Sequence, residues 1–136
     1  KELDLVLQIH DRDAHQDVVE VLLADGAPQR TVFHCFSGDA ALAELCAAHG
    51  WYLSFAGPVT YPSATQLRAA LHMTPIDRIL LETDAPYLPP HPGRGRPNAP
   101  YLLPYTAAGV AAELGIGTQE LCARVWRTSE ELYGPW

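Results

Sequence analysis

One repeated unit restricts the fold of this chain more than anything else: a short apolar run followed by a segment with helical periodicity. Four such runs occur, Leu5–His10, Thr31–Cys35, Trp51–Phe55 and Arg78–Asp84. Each is short and apolar, as strands buried on both faces are. Between them, apolar residues recur at helical spacing over Ala14–Ala24, Ala40–His49 and Ala64–His72. Gly26 and Gly50 stop the first two helices, and Asp39 and Ser63 are placed to cap the second and third. The inward positions are Val18, Val19, Leu22 and Leu23 on the first helix and Leu42, Leu45 and Cys46 on the second. Two more helices follow, Tyr101–Leu114 and Thr118 to about Leu132, the last burying Leu121, Val125 and Leu132. The order β-α-β-α-β-α-β-α-α implies a parallel sheet with right-handed crossovers. Four βα units make half of an eight-stranded barrel.

With 136 residues the chain holds one domain, spanning residues 1–136, and its 48% apolar content rules out disorder. The net charge of −7 argues against a protein that coats nucleic acid along its whole surface. It leaves room for a local site where metal ions face phosphates. The three cysteines, Cys35, Cys46 and Cys122, form no CxxC pair and point to a reducing compartment, most simply the cytoplasm. Cys35 follows His34 on the strand, so it reads as packing on the opposite face. No apolar run approaches the roughly 18 residues of a membrane span, and no signal peptide is seen. The chain begins at Lys1 and not at methionine, which fits a trimmed or partial chain.

Polar residues collect at the carboxyl ends of the strands, where α/β folds place their sites. His10 and His34 end the first and second runs, and Glu82 and Asp84 close the fourth. Alternation along a strand puts Glu82 and Asp84 on one face and Ile79, Leu81 and Thr83 on the other, with Pro86 stopping the strand. Two imidazoles and a carboxylate can hold a divalent metal with positions left for water. The plainer alternatives are hydrogen-bonded strand ends for the histidines, and a helix cap or a salt bridge to Arg78 or another base for the carboxylates. His15, His49 and His72 read as surface residues. The Pro86–Pro100 loop carries His91, Arg94, Arg96 and Asn98; a loop this long is usually functional. Arg94, Arg96 and Asn98 suit phosphate contacts, with loop solubility as the plain alternative. Neither GxSxG, GxGxxG nor a P-loop is present, so a serine triad or a nucleotide cofactor has no support.

Several motifs resemble one family, the TatD-type metal-dependent hydrolases. His10-Asp11-Arg12-Asp13-Ala14 resembles its HxRDA segment, and His34-Cys35-Phe36-Ser37-Gly38 its HCFSG. Leu53-Ser54-Phe55-Ala56-Gly57 is similar to LSFSG, and Leu81–Tyr87 to LETDAPY. Arg94–Pro100 resembles RGxxNEP, and Leu132-Tyr133-Gly134 the closing L[FY]G. The resemblance implies the last four βα units, plus a final helix, of a TIM (β/α)8 barrel of the metal-dependent hydrolase type. It implies divalent-metal-dependent cleavage of phosphodiester bonds in DNA, a deoxyribonuclease using Mg, Mn or Zn. On the matching positions His10, His34 and Asp84 are metal ligands, and Asp84 also orients or deprotonates the attacking water. Glu82 stands behind them, and Arg12, Arg94 and Asn98 are candidates for substrate contact.

The chain also departs from the pattern. Ala56 replaces a serine, Ala99 a glutamate, and Thr128 an asparagine. The amino-terminal HxH pair and the GExGLD-like segment have no counterpart, so three of about six expected ligands are present. A half-barrel leaves two strand edges unpaired, so a missing amino-terminal half or a second copy is expected to cover it. If the 136 residues are complete, nuclease activity is expected to be weak or absent. The other readings are a related metallohydrolase acting on another ester or amide bond, and a non-catalytic half-barrel that assembles with a partner.

Overall fold

The computed structural model describes residues 3–134, so both ends of the domain expected over residues 1–136 lie outside the described residues. Four parallel strands form one sheet in chain order: β1 (Leu7–His10), β2 (Thr31–His34), β3 (Tyr52–Phe55) and β4 (Ile79–Leu81). Five α-helices connect or follow them: α1 (His15–Asp25), α2 (Ala40–Ala48), α3 (Thr65–Met73), α4 (Leu103–Leu114) and α5 (Thr118–Tyr133). The expected element order and parallel sheet are both present. In register, His10 lies opposite His34. That places two imidazoles side by side at the carboxyl edge.

The two faces of the sheet differ. Phe33, Leu53, Phe55 and Ile79 are fully buried against Leu22, Ala43, Cys46, Leu71, Val110 and Leu121 of the helices. Each such aromatic or branched side chain contributes about 1.5–3 kcal/mol by leaving water. The opposite face is apolar only towards the amino ends of the strands. There Val32, Tyr52 and Leu80 pack with Leu132 from the end of α5. Towards the carboxyl ends it turns polar. The last helix therefore spans two environments, with Leu121 in the main core and Leu132 on the other face.

Several boundaries and packing assignments differ from the sequence expectation. β1 starts at Leu7, because β2 starts at Thr31 and offers no partner to the residues before it. Its Gln8 and His10 are exposed, so it is not buried on both faces. Leu23 points to solvent and not inward, leaving Leu22 as the buried residue of α1. Ser63 does not cap α3 with its hydroxyl; its carbonyl accepts from Thr65 N–H at 2.9 Å. The 56–62 loop contains a 3-10 turn at Gly57–Thr60, and another at Pro100–Leu102 occupies the expected start of α4.

The largest correction concerns β4. It ends at Leu81, not Asp84, because β3 stops at Phe55 and turns away at Gly57. The last bond to it is Glu82 N–H to the Phe55 carbonyl, 3.1 Å. Strand alternation therefore cannot place Asp84. A left-handed backbone at φ 56° does so instead. β1 and β4 each have one strand partner among the described residues, leaving an open edge on each side. No described helix is long and apolar enough to cross a membrane.

Candidate metal centre

His34 is the last residue of β2, and the chain turns sharply after it, with Cys35 at φ 45°. A left-handed backbone on a non-glycine residue costs on the order of 1–3 kcal/mol unless its surroundings enforce it. Here Glu82 does so. Its Oε2 accepts from the Cys35 N–H at 2.9 Å, while its Oε1 lies 2.6 Å from His34 Nδ1. One carboxylate thus fixes both the turn and the ring. Facing a carboxylate, Nδ1 carries the proton, and Nε2 keeps its lone pair. Nε2 lies 3.9 Å from Asp84 Oδ1.

His34, Glu82 and Asp84 each offer a ligand atom, all within 4.8 Å of one another, and all three are half-buried. Two ligands at about 2.1 Å from one ion can stand up to about 4.2 Å apart, so the His34–Asp84 separation admits an ion between them. One imidazole nitrogen and carboxylate oxygens form a donor set that suits zinc, manganese or magnesium. Both Glu82 oxygens are already engaged, so it fits the carboxylate–histidine–metal arrangement better than direct ligation.

The His10 ring stands 5.6 Å from the His34 ring, tilted by 31°. It lies beside the three-residue cluster but outside it. No lysine or arginine pairs with Glu82 or Asp84 among the described residues; Arg78 instead lies over the Tyr52 ring and donates to its hydroxyl. Cys35 is half-buried. Burial, then the charges of Asp84 and Glu82, push its thiol up to about 12, so in the metal-free protein it stays protonated at neutral pH.

The expected substrate residues occupy distinct places. Asn98 is buried: its amide donates to the Thr83 and Tyr87 carbonyls, both at 2.6 Å, and its oxygen accepts from Ala99 N–H. It ties the proline-rich loop to the residue before Asp84. Arg94 is exposed over the Tyr61 ring, and Arg12 and Arg96 are exposed with no carboxylate partner among the described residues. By contrast Arg30, Arg68 and Arg124 each pair with an acid.

Two features of the site are set by tertiary structure. Asp11 is buried beside His10, with Oδ2 2.6 Å from His15 Nδ1 and Oδ1 without a partner. Its spacing of four residues from His15 was the available signal, and His15 is half-buried and paired, not a free surface residue. Gly57 is the second. A Cβ there would lie 2.2 Å from the Leu88 carbonyl oxygen, so only glycine lets the proline-rich loop rest on the turn after β3.

The family model described as TatD related DNase matches residues 1–134. The chain belongs to the TatD family. It is 44% identical over 128 residues to an uncharacterized metal-dependent hydrolase, TatD, of Mycobacterium tuberculosis, covering 94% of this chain and 48% of that protein. It is 38% identical over 134 residues to the Bacillus subtilis hydrolase YabD, covering 98% and 52%. The crystal structure of YjjV, a TatD homologue from Escherichia coli K12, superposes with a TM-score of 0.91 at 28% identity, covering 100% of this chain and 52% of that one. The chain therefore spans about half the length of the TatD relatives it matches. Its four parallel βα units are half of a TIM barrel of the metal-dependent hydrolase type.

Proposed function

We propose that this chain supplies the carboxyl-terminal half of a divalent-metal-dependent deoxyribonuclease site. The observation that carries the proposal is the pair of His34 Nε2 and Asp84 Oδ1, 3.9 Å apart, with Glu82 holding the imidazole from behind. His34 and Asp84, with His10 beside them, would hold a divalent ion, which would supply Lewis-acid chemistry there. Asp84 would also be placed to take a proton from an attacking water. Phosphate as the target is supported by Arg12 and Arg94, exposed cations in the loops after β1 and β4 of a chain whose net charge is −7. Phosphodiesters are recognised by such unpaired guanidinium groups. DNA as the substrate is supported by the description of the matching family model.

A second ion needs donors beyond these residues. The open edges of β1 and β4 are suited to further βα units, from an amino-terminal half or from a second copy. The unpaired thiols of Cys35, Cys46 and Cys122 support a cytoplasmic setting. Cleavage of a DNA oligonucleotide by this chain together with the further βα units that close the barrel, with added Mg, Mn or Zn against a chelator control, tests the reading. Asp84→Asn should abolish cleavage, and Arg94→Ala should raise KM for DNA but not for a small neutral ester. Metal-dependent turnover of the ester with DNA left intact would overturn it in favour of another metallohydrolase activity.

A further inference from the structure

Arg30, Arg68 and Arg124 are held by Asp4, Glu113 and Glu120. Arg94 is held differently. Its guanidinium lies 4.9 Å from the centre of the Tyr61 ring, and no carboxylate pairs with it among the described residues. A carboxylate orients a guanidinium and cancels its charge, whereas a ring face orients it and leaves the charge whole. Tyr61 is itself fixed at three points. Its hydroxyl donates to the Pro89 carbonyl at 2.9 Å, its carbonyl accepts from Arg68 Nη1 at 2.6 Å, and its N–H donates to the Pro58 carbonyl at 3.0 Å. Next to it, the Thr60 hydroxyl oxygen accepts from the His91 N–H at 2.8 Å. The turn after β3 therefore grips the proline-rich loop at Pro89 and His91, just before Arg94. Ring and metal centre share a neighbour in Cys35. Burial raises the Tyr61 hydroxyl, Arg94 pulls it back, and Cys35 raises it again. The same Cys35 feels the charges of Asp84 and Glu82.

We propose that Tyr61 is a positioning residue: its ring aims the Arg94 guanidinium, charge uncancelled, at a backbone phosphate of the strand held at the metal centre. Without the ring, Arg94 extends from an exposed loop, and its rotamers must be frozen each time substrate binds. With the ring beneath it, part of that ordering is complete in the folded protein. The benefit falls on binding and not on the chemical step, because a phosphate away from the reacting bond is held alike in ground state and transition state. The hydroxyl serves the loop, through Pro89, and the ring face serves the cation. This inference rests on the nuclease reading of the metal centre.

Two measurements on the barrel closed by its further βα units test the role: anisotropy of a fluorescent DNA oligonucleotide in chelator, and its cleavage with Mn. Tyr61→Leu should weaken binding and raise KM about two- to fivefold, the range of an exposed cation–π contact, with kcat unchanged. Tyr61→Phe and Tyr61→Trp keep a ring face and should bind like the parent. In an Arg94→Ala background, Tyr61→Leu should add nothing further. A purely structural role gives the opposite pattern: the loss persists without Arg94, and Tyr61→Phe, which lacks the bond to Pro89, shares it. Either of those results, or unchanged binding in Tyr61→Leu, would overturn the proposal. Where Tyr61→Leu melts below the parent, Tyr61→Met, which fills the space of the ring with a flexible chain, makes the same comparison. An Arg94-dependent loss of binding, with no cleavage by the parent, sinks the nuclease reading alone. Cleavage with a Tyr61 effect independent of Arg94 sinks the positioning role alone, and neither binding nor cleavage sinks both.

Discussion

Glu82→Gln isolates the group that organises the metal centre. The native carboxylate accepts twice, from His34 Nδ1 at 2.6 Å and from Cys35 N–H at 2.9 Å. The amide has the same shape but only one acceptor oxygen. If that oxygen stays on His34, an NH2 group meets the Cys35 N–H, and a buried donor is left unsatisfied at a cost of about 1–3 kcal/mol. If it turns to Cys35, the NH2 group meets Nδ1. The ring proton then moves to Nε2 and removes the lone pair that faces Asp84. Losing such a supporting group typically lowers metal affinity about 10- to 100-fold, equivalent to about 1.4–2.8 kcal/mol. Titration calorimetry with Mn measures that loss directly, and thermal melting without metal reports the cost to the fold. Metal affinity within about twofold of the parent, with unchanged melting, would refute the role assigned to Glu82.

Asn98→Asp should destabilise by about 2–4 kcal/mol in urea unfolding, because it turns a carboxylate oxygen towards two carbonyls that now accept from the amide. Activity should fall as well, since Thr83 precedes Asp84. Gly57→Ala should cost at least about 1–3 kcal/mol, as its Cβ would press on the Leu88 carbonyl and the Pro90 nitrogen; unchanged urea stability would show that the loop moves freely. Burial, then the charge of Asp11, pushes the Cys46 thiol from 9.0 up to about 12. The unfolded chain releases that proton first, so the contribution is whole below pH 9 and fades as pH rises towards about 12. Cys46→Ala should therefore show a shallower loss of stability above pH 9 in alkaline unfolding.

The repeated apolar runs and helical periods already specified the parallel sheet, because each element's pattern depends only on near neighbours. Buried Phe33, Leu53, Phe55 and Ile79 sit where those runs placed them. His10 and His34 could be put at strand ends from the sequence, and parallel register then sets them side by side. The Asp11–His15 pair and the room at Gly57 were not legible in the same way: burial of the first and the close loop above the second come from segments distant in sequence.

The fourth apolar run and the residues after it, Ile79–Tyr87, show the division most clearly. By itself the sequence determined that an apolar strand runs into two carboxylates at the carboxyl edge of a parallel sheet. Only the tertiary structure decided how each carboxylate is used. β4 lost its partner at Leu81, so the left-handed turn at Asp84, and not the strand pleat, carries that carboxylate towards His34. Glu82 was drawn to the turn after β2 by a backbone N–H and a ring nitrogen. Those bonds join residues more than forty positions apart, and such distances close only when the sheet has formed.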